Sequence, residues 1–263
     1  WSMSAATAIR LVPPHKVARA LAIFNGGNAL ATVVAAPLGS YLGATIGWRG
    51  AFLCLVPVAI VAFIWQCLSL PDMNARKNGT SRGSVFRLFR QPAVSVGLLA
   101  CGLFFMGQFA LFTYVRPFLE TVTQVTPSGL SLILLTIGVA GFVGTLLVAL
   151  VLNAAFYLTL ISIPLLMAVI AGVLILTGHS VWIVALLLGF WGMLATAAPT
   201  EWWTWIARTL PQDAEAGGGL MVAVIQLSIA LGSTAGGLVF DHLGWQSTFA
   251  LSGMLLLCGV VLT

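Results

Sequence analysis

The six residues GWRGAF at 47–52 recur as GWQSTF at 244–249, and this repeat decides the fold. The two copies lie 197 residues apart, and at that offset the match extends back to Pro14 and Pro211. Each copy follows one long apolar run and precedes another. Gly-Trp is therefore predicted to form a tight turn between two helices, because glycine adopts backbone conformations that other residues avoid.

A repeat of two helices at this offset predicts a repeating unit of about six membrane spans. Two such units in parallel orientation are typical of secondary transporters, whose binding site lies between the halves. The chain begins inside an apolar run, so we expect it to be part of a longer protein. The predicted domains are a partial N-terminal half at 1–70, a basic cytoplasmic linker at 71–92 and a six-span C-terminal half at 93–263.

The composition indicates that the main solvent of this chain is lipid. Of 263 residues, 60% are apolar and 6% are charged, whereas a soluble domain carries about 25% charged residues. A helical span needs about 20 apolar residues. The predicted fold class is therefore an all-α integral membrane bundle of about eight full spans plus the tail of another. The apolar runs cover 1–11, 18–43, 50–70, 93–117, 128–152, 155–177, 181–207, 217–240 and 246–263, with a turn near Leu152 and Asn153.

The cations predict which side of the membrane each loop occupies. Nine of the eleven Lys and Arg residues fall on one side of the predicted topology, and only Arg49 and Arg116 fall on the other. Cytoplasmic loops carry the excess of Lys and Arg, so the linker 71–92 is assigned to the cytoplasm. The nine cations are Arg10, Lys16, Arg19, Arg76, Lys77, Arg82, Arg87, Arg90 and Arg208.

The stretch NGGNALATVVAAPLGSYLGATIGWRGAF (25–52) resembles the antiporter motif in the fifth span of the major facilitator superfamily, in the form of its drug and sugar efflux branch. It departs from that motif at Ala36, where many members carry glycine before the proline. The resemblance covers nearly the whole chain and includes VAVIQLSIALGSTAGG (222–237). On this alignment the chain begins in the fourth span, and spans one to three are missing.

The resemblance implies a function as well as a fold. It implies a monomeric, cofactor-free secondary active transporter of the bacterial inner membrane, which exports a small polar solute in exchange for protons by alternating access. Within the branch, the resemblance is to exporters of purine ribonucleosides. Export of sugars or drugs and uptake instead of export are the alternatives, and a channel or an intramembrane enzyme is a more distant one.

Glu201 is the one acidic residue of six that falls within a predicted span. A charged carboxylate that faces lipid costs at least about 2.5–3.5 kcal/mol, so we expect Glu201 to face a cavity, pair with a cation or stay protonated. Pro199 interrupts the helical hydrogen bonding just before it, and Trp202 follows it. We predict a proton-coupling site at Glu201 and a stacking surface at Trp202. The alternatives are an acid that extends to the cytoplasmic surface and an interfacial aromatic belt.

Amide side chains form a second candidate group. Asn25, Asn28 and Thr32 recur at three- and four-residue spacing, so they share one helix face. Unpaired amides are costly in lipid, so this face should point into the bundle, either to bind solute or to join helices. A neutral, polar, planar solute would suit the whole set. The predicted substrate-binding residues are Asn25, Asn28, Thr32, Gln108, Phe112, Trp202 and Gln226.

Other classes of function have no supporting pattern in the sequence. The net charge of +5 sits on short loops, so nucleic acid is not expected as a partner. The four cysteines lie inside apolar runs without CxxC spacing, and the three histidines lack partners at metal spacing, so no metal site is predicted. No motif for nucleotide hydrolysis or for the common hydrolases occurs, so no catalytic residue is assigned and an enzyme is not expected.

Cysteine accessibility tests the predicted orientation. A cysteine that replaces Arg82 should react with a membrane-impermeant maleimide only from the cytoplasmic side, because basic loops stay there. A cysteine that replaces Asp241 should react only from the outer side. Labelling of intact cells and of inverted vesicles measures both, and the reverse pattern would contradict the orientation derived from the cations.

Overall fold

The computed structural model describes residues 17–69, 91–210 and 214–263, and these are mostly α-helical. Seven segments of the described helices are long and apolar enough to cross a membrane, which confirms the predicted all-α bundle. The predicted span remnant at 1–11 and nearly all of the linker 71–92 lie outside the described residues. The helices are α1 Val17–Ser69, α2 Pro92–Phe112, α3 Val115–Thr121, α4 Pro127–Thr177, α5 Val181–Thr209, α6 Ala214–Leu243 and α7 Trp245–Leu262.

The two Gly-Trp sequences form the same backbone turn. Gly47 has φ 75° and ψ 163°, and Gly244 has φ 84° and ψ 171°. Both lie in the left-handed region, where a residue with a Cβ atom is strained. Gly47 therefore divides α1 into two helical arms, at the place where the repeat predicts a turn. Gly244 separates α6 from α7 in the same way.

The aromatic side chains of the two turns are also arranged alike. The ring of Trp48 packs edge-on to that of Phe52, with centroids 6.3 Å apart and planes at 83°. The ring of Trp245 packs edge-on to that of Phe249, with centroids 5.6 Å apart and planes at 81°. Edge-to-face contact is a favoured geometry for aromatic pairs. The sequence repeat is thus also a repeat of local structure.

The helix α4 contains two spans rather than one. Its 51 residues would extend about 76 Å as a straight helix, more than twice the hydrocarbon thickness of a bilayer. Yet its two ends meet, because the hydroxyl of Thr123 donates a hydrogen bond of 2.8 Å to the carbonyl oxygen of Gly178. The chain therefore reverses direction between Pro127–Val148 and Phe156–Thr177, where the sequence predicts a turn near Leu152.

Small residues bring the helices into backbone contact. A methyl group at Gly236 of α6 would lie 2.6 Å from the carbonyl oxygen of Ala110 in α2. A methyl group at Gly192 of α5 would lie 2.5 Å from the carbonyl oxygen of Ile137 in α4. Lipid supplies no hydrophobic force between helices, so association relies on such close packing.

Hydroxyl groups reinforce the same interfaces. Thr196 of α5 donates a hydrogen bond of 2.6 Å to the carbonyl oxygen of Gly141 in α4. Ser252 of α7 donates one of 2.6 Å to the carbonyl oxygen of Gly107 in α2. The helices after residue 91 thus pack most closely as α4 with α5 and as α2 with α6 and α7, and α4 also packs against α7.

Substitution of Gly232 tests this packing. A methyl group there would overlap the backbone of Met106 in α2, and overpacking of a tight interface costs about 1–3 kcal/mol. We expect Gly232→Ala to lower the melting temperature and the yield of monodisperse protein in mild detergent. Gly172 of α4 has open space around it, so Gly172→Ala is the control and should hold or raise stability, because alanine favours helix. Equal losses in the two variants would contradict the role of Gly232.

Candidate solute-binding site

Gln108 of α2 is buried, and its Oε1 atom has no hydrogen-bond partner among the described residues. Gly97, Phe104 and Gln108 recur at spacings of seven and four, so they share one face of α2. The ring of Trp205 in α5 lies against Gly97. The rings of Phe104 and Trp202 have centroids 6.5 Å apart. Gln108 therefore lies on the face of α2 that meets α5.

Glu201 of α5 is 1% exposed, and its Oε1 atom also lacks a partner in the described part of the chain. Arg208, the cation in the last turn of α5, instead places its guanidinium 4.3 Å from the centroid of the Phe156 ring. Within the described residues, the one ion pair joins Arg116 and Glu120 of α3, at 2.9 Å. Burial of Glu201 disfavours the alternative in which this acid extends to the cytoplasmic surface.

Trp202 lies between this buried polar region and a cavity at the predicted cytoplasmic end of the bundle. The cavity has a volume of about 380 Å³ and is half-open. It lies where α2, α4, α5 and α7 converge, beside Pro92, at which the linker ends. Trp202 is 3% exposed, so it belongs to the interior and not to an aromatic belt. The lining includes Ala100, Tyr157, Leu160, Trp202 and Trp205.

Trp191 is a buried polar residue outside the predicted substrate-binding set. Its side chain is fully buried, and its Nε1 atom has no hydrogen-bond acceptor among the described residues. Trp191, Ala195, Ala198 and Trp202 recur at spacings of four, three and four, so they share one face of α5, and all four are buried. The sequence places Trp191 three turns before Trp202 in one aromatic cluster, but it gives no sign that the indole N–H of Trp191 lacks an acceptor.

Gln226 and Phe112 are placed apart from the buried group. Gln226 is exposed on α6. A methyl group at Gly102 of α2 would lie 3.0 Å from the hydroxyl oxygen of Ser228, so Ser228 faces α2. Gln226 precedes Ser228 by two residues, which corresponds to about 200° around a helix. Gln226 therefore points away from α2. Phe112, in the last turn of α2, is 36% exposed. The structure does not bring either residue together with Gln108.

The amide face of the first half is only partly described. Residues 25–32 are helical within α1, so the spacing of Asn25, Asn28 and Thr32 places them on one face, as predicted. Their side chains lie outside the described residues. Their part in solute binding stays a prediction.

The bundle, the repeated Gly-Trp turn and the buried acid together define a class, that of multi-pass helical membrane proteins built like secondary transporters. The sequence profile of the Major Facilitator Superfamily matches residues 1–218. The chain belongs to that superfamily.

Curated relatives match the chain from end to end. It is 62% identical over 266 residues to “Transcription regulatory protein OpdE” of Pseudomonas aeruginosa, and this alignment covers 100% of the chain and 66% of that protein. It is 39% identical over 262 residues to “Purine ribonucleoside efflux pump NepI” of Escherichia coli K12, with the same two coverages. It is 40% identical over 257 residues to the protein of that name in Salmonella enteritidis, covering 98% and 64%. The chain thus spans about two thirds of the length of these relatives.

Replacement of Gln108 by leucine tests whether this residue serves solute binding rather than stability. Leucine matches its size but removes the buried oxygen that has no partner, a group whose burial costs about 1–3 kcal/mol. We expect Gln108→Leu to hold or raise the melting temperature of the ligand-free protein and to weaken solute binding. Gln226→Leu, at an exposed site, should leave the melting temperature unchanged. Loss of stability in Gln108→Leu alone would indicate that Gln108 has a structural role.

Proposed function

We propose that this chain is the larger part of a proton-coupled transporter that exports a purine ribonucleoside, or a related small polar solute, across the bacterial inner membrane. Membership of the superfamily supports transport by alternating access. The names of the relatives at 39–40% identity support the solute and the direction. The observation that carries the proposal is the buried carboxyl group of Glu201, whose Oε1 atom has no partner among the described residues.

Glu201 couples proton and solute by exchange at one place. A carboxyl group buried in the membrane interior must be neutralised by a proton or satisfied by a bound polar group. When solute occupies the site, its hydroxyl or amino groups take the place of the proton. Release of the solute on the outer side allows the acid to take up a proton again. Because the proton and the solute compete for Glu201, the export of each solute molecule is coupled to the movement of one proton in the opposite direction.

The path to this site runs from the cytoplasmic cavity past Trp202. The indole face of Trp202 stacks on the planar base of the solute as the solute enters, and Gln108 accepts a hydrogen bond from that base. In this proposal Asn25, Asn28 and Thr32 hold the solute from the first half. Gln226 and Phe112 contact it from the second half when the two halves close over it.

The name of the relative from Pseudomonas aeruginosa is compatible with a carrier. A transporter that sets the internal concentration of a solute alters transcription through regulators that sense the solute, without contacting DNA itself. The cations of the present chain favour this interpretation, because they are spread over the chain and are not gathered along one helix face.

Replacement of Glu201 by glutamine separates coupling from transport. Glutamine keeps the shape and hydrogen bonding of the acid but cannot titrate. In proteoliposomes that contain the intact protein, we expect Glu201→Gln to abolish efflux of radiolabelled adenosine driven by a pH gradient. Exchange of adenosine down its own gradient should continue at a rate within about threefold of the parent.

The control for this experiment is Glu120→Gln. Glu120 is exposed and paired with Arg116 outside the buried region, and exposed ion pairs contribute about 0–1 kcal/mol. This variant should pump like the parent. If Glu201→Gln pumps as well as the parent between pH 6 and pH 8, Glu201 does not couple transport to protons.

A further inference from the structure

We infer that Trp191 is a specificity-determining residue, whose indole N–H donates a hydrogen bond to a ring nitrogen of the bound solute while Gln108 binds a neighbouring polar group. This inference rests on the proposed function and deepens it, because it states which atoms of a purine the second half of the bundle recognises. Trp191 and Gln108 lie on the sides of α5 and α2 that face each other, and each holds a buried polar atom that has no partner in the described part of the chain.

The facing sides of the two helices follow from observed contacts. On α2, the face that carries Gly97 and Phe104 continues to Gln108, four residues later. On α5, the face that carries Trp205 and Trp202 continues back to Trp191. Because Trp205 lies against Gly97 and Trp202 lies beside Phe104, these two faces are opposed where residues 97–104 meet residues 202–205.

The same contacts give the level of each group along the bundle. The helices α2 and α5 are antiparallel. A residue that follows Gly97 along α2 therefore lies level with a residue that precedes Trp205 along α5 by about the same number of positions. Gln108 then lies level with positions 194–198, roughly 5–10 Å along the axis from Trp191, at 1.5 Å per residue. Glu201 lies at a similar distance on the other side. A nucleoside is of a size to contact all three groups.

The α5 side chains at this level are small. By the register of the two helices, the α5 residues level with Gln108 include Ala195 and Ala198, both buried, and the indole rings of Trp191 and Trp202 lie one turn to either side. A large residue at either alanine would bring apolar atoms toward the Gln108 amide. The α5 face opposite Gln108 therefore presents small side chains between two indole rings.

The chemistry of the two groups defines the ligand. A buried polar group without a partner costs about 1–3 kcal/mol, so two such groups on opposed faces indicate an occupant that satisfies both. The indole N–H is a donor only, whereas the carboxamide can donate or accept. Trp191 therefore requires a hydrogen-bond acceptor on the ligand. Gln108 can bind either an amino or a keto group next to that acceptor. Adenine, hypoxanthine and guanine share ring-nitrogen acceptors and differ in that substituent.

Removal of single ring nitrogens from the solute tests the assignment. The dissociation constants of adenosine, 7-deazaadenosine and 3-deazaadenosine are measured for the intact protein in detergent. We expect one of the two analogues to bind about three- to tenfold more weakly than adenosine, the effect of one hydrogen bond. Trp191→Phe should lose this discrimination and bind all three nucleosides with the affinity of the weaker analogue. Trp191→His, which keeps a ring N–H, should restore part of it.

Trp182→Phe is the matched control, since Trp182 lies on the same helix and is 86% exposed; it should discriminate like the parent. If adenosine and both of its analogues fail to bind at all, the proposed function and this inference are both overturned. If nucleosides bind and Trp191→Phe keeps the preference of the parent, only this inference is overturned, and a buried water is the partner of Trp191. Equal affinity of the unaltered protein for adenosine and both analogues overturns it without any variant.

Discussion

Contact between helix backbones is the constraint on which this structure depends. In lipid, an apolar side chain gains little by moving from the membrane into a helix interface, so the helices must be held by dispersion contacts and by hydrogen bonds. Glycines at 192 and 236 allow one helix to meet the carbonyl oxygens of the next. Thr196 and Ser252 then donate hydrogen bonds to carbonyl oxygens at 2.6 Å. These interfaces fix the rotation of each helix, and so decide which side chains reach the interior.

The seam between α2 and α5 is built differently. There the helices meet through indole and phenyl rings, and no glycine in the seam brings the two backbones together. The seam contains Gln108, Trp191 and Glu201, the three described residues with buried side-chain atoms that lack partners. A protein that needed only to fold would fill such a seam with apolar groups, since apolar replacement of a buried polar group is often neutral or stabilising. The seam thus joins its two helices through side chains and contains buried polar groups.

The sequence predicted the turns better than the rotations of the helices. The repeat located Gly47 and Gly244, because a left-handed turn requires glycine whatever surrounds it. The length limit of a membrane span required a reversal inside α4, and the contact of Thr123 with Gly178 agrees. The orientation of Gln226 away from α2 and the complete burial of Trp191 could not be predicted. A helix in lipid is apolar on all sides, so it lacks the polar face that reveals the orientation of a soluble helix.

The turn at Gly244 has a consequence for how the chain enters the membrane. A single residue, Gly244, separates α6 from α7, so no polar loop lies between the two helices. The two helices are therefore expected to enter the membrane together as one hairpin. The arms of α1 meet at Gly47 beside Arg49 under the same condition. Each Gly-Trp corner thus couples the membrane insertion of two neighbouring helices.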